Sequence, residues 1–166
     1  MITIRTAEAV DWDQIWPTVQ EVFQSGTTYA YPPETNKAEA YEIWMTTPTA
    51  TYVAISDENV AGTYYIKPNQ PGLGSHVCNA GYMVSSTARG HGIGRALCAH
   101  SLIEAVKLGF KAMQYNLVVV TNWYAIKLWQ DMGFEIIGTL PQAFNHKAKG
   151  LVDAHIMYRL LETRAR

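Results

Sequence analysis

The sequence predicts an α/β fold in which a mixed sheet carries helices on both faces. Runs that alternate, or are rich in β-branched residues, mark strands, and apolar residues at helical spacing mark helices. The two kinds of segment follow one another in the order β-α-α-β-β-β-α-β-α-β-β. Three strands in succession and a closing strand pair do not fit a doubly wound parallel sheet.

Each element has its own justification. Ile2 to Arg5 alternates as a short strand. Asp11 is placed to cap a helix to about Phe23, with Ile15, Val19, Val22 and Phe23 on one face. Pro17 predicts a kink or a later start. Ser25 to Glu34 is a loop with Tyr29, Tyr31 and two prolines, and a second helix spans about Thr35 to Thr46, stopped by Pro48.

Thr51 to Ser56 and Val60 to Lys67 read as strands joined by a turn at Asp57 to Asn59. Pro68 to Ser75 is a loop, and His76 to Val84 a further strand. A helix from about Ile93 to Leu108 ends at Gly109. Its residues His100, Glu104, Lys107 and Lys111 form a polar stripe, which reads as a solvent face and excludes His100 as a ligand. Ala112 to Val120 is a strand. Trp123 to Met132 is a helix capped by Asn122 and stopped by Gly133. Phe134 to Thr139 and Leu151 to Leu160 close the chain as strands.

Bulk composition excludes several classes. The 166 residues fit one domain over residues 1–166, long enough for a sizeable core. At 48% hydrophobic and 16% charged, the chain is globular, not disordered. A net charge of −1 with scattered signs predicts neither a nucleic acid nor an anionic membrane as partner. The first residues lack the basic head and apolar run of a signal peptide, and no stretch has the ~20 apolar residues of a membrane helix. Cys78 and Cys98 make no disulfide framework, so the expected address is the cytoplasm with both thiols reduced and buried. No spacing brings three metal ligands together, so no metal is expected.

The chemistry concentrates in Gly90, Gly92 and Gly94, flanked by Arg89 and Arg95, between a strand and a helix. Glycine at a helix start lets a ligand approach the main chain. The first N–H groups of a helix lack partners within it and, with the helix dipole, bind phosphate oxygens. The spacing is not the dinucleotide fingerprint, whose last two glycines stand three apart, and Lys-Ser/Thr of a P-loop is missing. A tight turn without a ligand needs one glycine, not three beside two arginines.

Arg89-Gly-His-Gly-Ile-Gly-Arg-Ala-Leu97 resembles the pyrophosphate loop of the GCN5-related N-acetyltransferase (GNAT) family, and Asn122-x-x-Ala125-x-x-x-Trp129-x-x-x-Gly133-Phe134 resembles its downstream signature. The resemblance runs over nearly the whole chain and implies the GNAT fold: about seven mostly antiparallel strands and about four helices, with strands four and five splayed at a bulge in the fourth. It implies acetyl-CoA as cofactor and direct transfer to a small-molecule amine. The diphosphate would lie on Arg89, Gly90, His91, Gly92, Ile93, Gly94, Arg95 and Ala96. The pantetheine arm would pair with Met83 and Val84, with Asn122 near the thiol. The last strands of the family often build dimers, so a homodimer is a possible state.

Local blocks around Tyr65 to Gly72, Ser75 to Tyr82, Tyr115 to Asn122 and Val152 to Ala154 resemble the fungal acetyltransferases of proline analogues, which act on azetidine-2-carboxylate and related cyclic amines. That resemblance implies that Asn79 holds the acceptor carboxylate and Asn116 lies near the reacting amine. Asparagine is unfavourable in strands, so Asn79 and Asn116 mid-strand already suggest a polar pocket. Tyr29 and Tyr31 lie in the loop that covers the acceptor in the family.

An amide cannot take the amine's proton; it can position the amine, with water or a backbone carbonyl as relay. Most of the family places a tyrosine, as general acid, where this chain has Trp129. Either Tyr124 substitutes, or the leaving thiolate is protonated by solvent. Two alternatives stay open: transfer to a peptide or antibiotic amine, and an acyl-CoA-binding module that senses without catalysing.

Overall fold

The computed structural model describes residues 1–161. Seven strands, β1 (Thr3–Thr6), β2 (Ala50–Ser56), β3 (Asn59–Pro68), β4 (Val77–Val84), β5 (Ala112–Val119), β6 (Glu135–His146) and β7 (Gly150–Leu160), form one sheet in the order β1-β2-β3-β4-β5-β7-β6. Neighbours are antiparallel except β4 and β5, which are parallel. The helices are α1 (Trp12–Ser25), α2 (Lys37–Tyr41), α3 (Ile93–Lys107) and α4 (Trp123–Asp131). The mixed α/β class read from the sequence is the class observed.

Alternation along the strands gives the sheet two different faces. On one, Ile15, Val19 and Phe23 of α1, with Trp44, pack on Val53, Val60, Tyr65 and Met83. On the other, Leu97 and Cys98 of α3 and Leu128 and Trp129 of α4 pack on Tyr64, Ile66, Cys78, Ala80 and Met113. Burial pushes the Cys78 and Cys98 thiols up, to about 12 and about 11, so neither is a thiolate near neutral pH. Among the described residues no helix is long and apolar enough to cross a membrane.

Several elements depart from the sequence reading. The helix α1 runs unbroken through Pro17, and Asp11 makes no side-chain cap for it. The Asp11 carboxylate instead accepts two bonds from Arg5, each 2.8 Å, and one from the Glu8 N–H at 2.7 Å. The second helix is shorter than expected: α2 begins after Asn36, whose side chain caps it, and gives way to a π-type turn over Glu42–Thr46. That turn brings the Trp44 indole N–H within 3.0 Å of Thr63 Oγ1, a buried polar bond that favours local distortion over regular helix.

The polar stripe of α3 is not simply a solvent face. The Tyr64 hydroxyl lies 2.7 Å from His100 Nδ1, and Tyr52 donates to Glu104 at 3.3 Å. Sheet tyrosines reach past the core rim to meet it. The strand expected to end at Thr139 continues to His146. A register shift between Leu140 and Phe144 absorbs Pro141 and Gln142, whose φ is +50°, so the ladder resumes where local sequence reads as a loop.

The Arg5 guanidinium, bonded to Asp11, holds that carboxyl below its ordinary value of 3.8. A depressed folded pKa contributes stability that is present above 3.8 and is lost as pH falls through the folded value. Asp11→Asn is therefore expected to flatten the fall of melting temperature below pH 3.8 while lowering it at neutral pH. Parallel acid-melting profiles of the two proteins would contradict this.

Candidate active site

The strands β4 and β5 pair at only two positions, Val77 with Ala112 and Cys78 with Met113, and then part. The expected bulge in β4 is absent: its register with β3 runs without a shift from Gly62–Val84 to Pro68–Cys78. The bulge lies in β5, where one extra residue stands between Tyr115 and Val118 relative to β7. It falls at Asn116 and Leu117, and a bulged strand bends. At the apex of the split Asn79, 8% exposed, donates to the Gln114 carbonyl at 3.0 Å, and its Oδ1 accepts from the Tyr65 hydroxyl at 3.1 Å. A side-chain amide thus takes over the ladder where backbone pairing stops.

The ladder decides which groups of β4 face the gap. The Ser85 N–H bonds to the Ala61 carbonyl, and the Asn69 N–H to the Val77 carbonyl. In an antiparallel pair hydrogen-bonded positions alternate, so the main-chain groups of Asn79, Gly81 and Met83 are turned to β3. Those of Ala80, Tyr82 and Val84 face the split. Val84 therefore presents its main-chain groups to the split. Met83, expected to pair beside it, does not, because its N–H and C=O are used against Thr63, although its side chain lines the cavity. Tyr29 donates from the loop to the Tyr82 carbonyl at 2.9 Å.

A cavity of about 820 Å³ fills the split, within the size range of small-molecule sites. It brings together Tyr29, Tyr31, Asn79, Met83, Asn116 and Asn122, all singled out from sequence. Asn116 donates to Asn69 Oδ1 at 2.7 Å and accepts from Gln114 at 3.0 Å. Asn122 lies at the α4 end, and its side chain does not cap that helix as expected; its φ of −87° and ψ of 55° are not those of a usual N-cap. A second cavity of about 450 Å³ adjoins the first through Val84, Arg89, Gly94 and Leu128, and holds Gly90, Gly92, Ile93, Arg95 and Tyr124.

The glycine loop fits a diphosphate. The first main-chain bond of α3 runs from Ala96 N–H to the Gly92 carbonyl, and Gly90 to Arg95 donate to no main-chain carbonyl. Gly90 and Gly92 have φ of +81° and +77°, and a Cβ on either would meet no neighbouring atom within 4 Å. These two are required by their left-handed backbone. Gly94 is helical, and a side chain there would make an ordinary contact with Leu128 at 3.5 Å, so the third glycine is not demanded by the turn. His91 is exposed beside the Ala88 carbonyl. Arg89 faces Glu21 at 3.5 Å and Arg95 faces Asp131 at 3.1 Å, so both arginines share their charge with carboxylates.

Trp129 sits in an aromatic cluster, its ring 4.9 Å from that of Tyr82 and 5.1 Å from that of Tyr115. Tyr124, 65% exposed, lines both cavities. Sequence reasoning passed over Tyr65, Lys67, Asn69 and Gly81. The first three alternate along β3 and its end, a period-two signal that places them beside Asn79 once strand pairing is known.

This architecture and cleft define the acetyltransferase (GNAT) family, and the chain belongs to it: the family model matches residues 16–134. GNAT acetyltransferases use acetyl-CoA. Among its relatives, the N-acetyltransferase aca1 of Schizosaccharomyces pombe is 43% identical over 99 residues, covering 59% of this chain and 47% of that protein. Protein SPT10 of Saccharomyces cerevisiae is 31% identical over 52% of this chain and 14% of its own length, so the chain spans half or less of these relatives. A GCN5-related N-acetyltransferase from Kribbella flavida is 45% identical, with a TM-score of 0.91 over 96% of this chain and 97% of that one. A phosphinothricin acetyltransferase from Sinorhizobium meliloti in complex with AcCoA, 23% identical with a TM-score of 0.85 over 96% and 88% of the chains, shares the fold.

Gly81 makes room for this arrangement. A Cβ there would lie 2.7 Å from Tyr65 Cε1 and 3.0 Å from the Tyr29 hydroxyl. Gly81→Ala is expected to lower stability by about 1–3 kcal/mol, the usual cost of overpacking. Denaturant unfolding checks this, and a variant with wild-type stability would contradict the packing.

Proposed function

We propose that this chain transfers the acetyl group of acetyl-CoA directly to the amine of a small amino-acid-like acceptor, proline or a proline analogue. The observation that carries the reading is the split between β4 and β5, pinned by Asn79 at its apex and open to the unpartnered N–H groups of the glycine loop. When bound, acetyl-CoA supplies an activated acyl carbonyl. The N–H groups from Gly90 to Arg95 would hold its diphosphate; that of Ala96, expected among them, is spent on the Gly92 carbonyl. The gap-facing groups of Tyr82 and Val84 hold the extended arm as an added strand would, and Asn122 orients its end. A gap-facing N–H stabilises developing oxygen charge; one such donor is typically worth roughly 3 kcal/mol.

The residues of the acceptor end position and do not abstract. Asn79 and Asn116 are amides with no useful basicity. Burial raises the hydroxyls of Tyr29, Tyr65, Tyr82 and Tyr115 above the ordinary phenol value, so they stay protonated and act as donors. The acceptor must therefore arrive as the neutral amine or lose its proton to water. Tyr124 is exposed, and water reaching that end of the cleft returns the proton to the leaving group.

Two expectations follow. The logarithm of kcat/KM for the acceptor should climb with pH toward the acceptor's own ammonium pKa, without a bend in the histidine range; such a bend would reveal a base on the protein. Gly92→Val, forced into a left-handed backbone, should weaken acetyl-CoA binding more than tenfold by calorimetry while circular dichroism stays native.

The direct test is thiol release from acetyl-CoA with L-proline, L-azetidine-2-carboxylate, other amino acids, peptide N-termini and polyamines. Turnover with the cyclic amino acids is the expected result. Turnover confined to peptide amines would move the acceptor class. Tight acetyl-CoA binding with no turnover on any amine would make the chain an acyl-CoA-binding module.

A further inference from the structure

We infer that Lys67 is the anion-binding residue of the acceptor site, and that the acceptor amine carries a carboxylate which the Lys67 ammonium and the Asn79 amide hold together. This rests on the transfer reading above for the name of the acceptor, but not for the anion site itself. Among the described residues two cations line the larger cavity, Lys67 and Arg89. Arg89 stands at the glycine-loop end and faces Glu21, the one carboxylate among the described lining residues. Lys67 stands at the other end, beside Asn69 and Asn79, and makes no ion pair among the described residues.

Its position is set by the sheet. Lys67 is the direct partner of Asn79 in the β3–β4 ladder, so both side chains rise from the same face. Its Nζ lies 5.0 Å from the centroid of the Tyr65 ring, and the hydroxyl of that ring donates to Asn79 Oδ1 at 3.1 Å. One aromatic ring thus locates both the ammonium and the amide. Asn79 spends one N–H on the Gln114 carbonyl, and an amide nitrogen carries two, so one donor remains.

A cation and a free N–H on the same face of one cavity suit a carboxylate. The other residues named at that end of the lining, Tyr29 and Tyr31 of the loop, Asn69 after β3 and Asn116 of β5, are uncharged. Half-burial also lowers the Lys67 pKa, so the bare ammonium is under-solvated and an arriving anion relieves it. Asn79 alone, already bonded twice, offers no charge; Lys67 supplies it. An amine without a carboxylate leaves that ammonium unpaired.

The test is calorimetry on the full chain with coenzyme A present, using L-azetidine-2-carboxylate, L-proline and L-prolinamide, which keeps the ring amine and loses the negative charge. Wild type should bind the acids and discriminate against the amide. Lys67→Met, which keeps the stem over Tyr65, should weaken the acids by roughly ten- to a hundredfold and leave prolinamide unchanged. Lys67→Arg should retain preference for the acids. Acetyl-CoA binding should be the same in all three proteins.

Wild-type affinity for the acids in Lys67→Met overturns the assignment. So does wild type binding prolinamide as tightly as L-proline, a result that needs no variant to fold. The two proposals separate cleanly. Acid binding through Lys67 without acetyl transfer to any amine keeps the anion site and removes the transfer reading. Acetyl transfer to the cyclic acids by Lys67→Met with the KM of wild type keeps the transfer reading and removes Lys67.

Discussion

The hydrogen bond from Asn79 to the Gln114 carbonyl marks the point on which the rest of the site depends. Buried main-chain polar groups must find partners, and a sheet that opens down its middle strips one row of groups from each strand. Asn79 closes the first gap with its own amide, at 3.0 Å, and Tyr29 supplies a hydroxyl to the Tyr82 carbonyl further along. The other gap-facing groups of β4 are left to whatever enters. A cleft made this way is a strand vacancy, and an extended ligand with amides of its own is the natural occupant.

The same strand alternation that frees this edge divides the sheet into two environments. Residues 78, 80, 82 and 84 of β4 send side chains into the aromatic core beneath α3 and α4, where Tyr82, Tyr115 and Trp129 pack together. Residues 79, 81 and 83 face α1 and the loop with Tyr29 and Tyr31. One face is built for packing and fixes α4. The other carries the amides, the glycine that admits Tyr65, and Lys67. The position usually given to a tyrosine acid belongs to the packing face here, filled by an indole with 9% exposure.

The legible part of this design is local. Element order follows from periodicity, and Gly90 and Gly92 announce a left-handed turn before a helix. Asn79 and Asn116 stand out because asparagine sits badly in strands. What could not be read depends on partners distant in sequence. Which strand bulges is decided by the count against β7. Met83 loses its pairing role because the β3–β4 ladder takes its main-chain groups. His100 and Glu104 meet tyrosines of β2 and β3 rather than water. Asn122, well placed to cap α4, instead lies on the cleft wall. In each case the local signal was sound for an isolated segment and was overridden by a neighbour that only the folded sheet supplies.

Among the described residues, the acceptor end has neither a carboxylate nor an imidazole to serve as base, and this ties these features to reactivity. An amino acid's own carboxylate holds a proton on its neighbouring amine by attraction, and removing that negative charge lowers the amine's pKa. A cation that pairs with the carboxylate does this without touching the amine. Each pKa unit gained corresponds to about 1.4 kcal/mol, so even partial neutralisation enlarges the reactive neutral fraction severalfold. Protonated tyrosines and neutral amides around the pair do not restore the lost negative charge. With Lys67 as the anion partner, the site thus prepares its nucleophile electrostatically, and the general base that the sequence lacks at this position is not required.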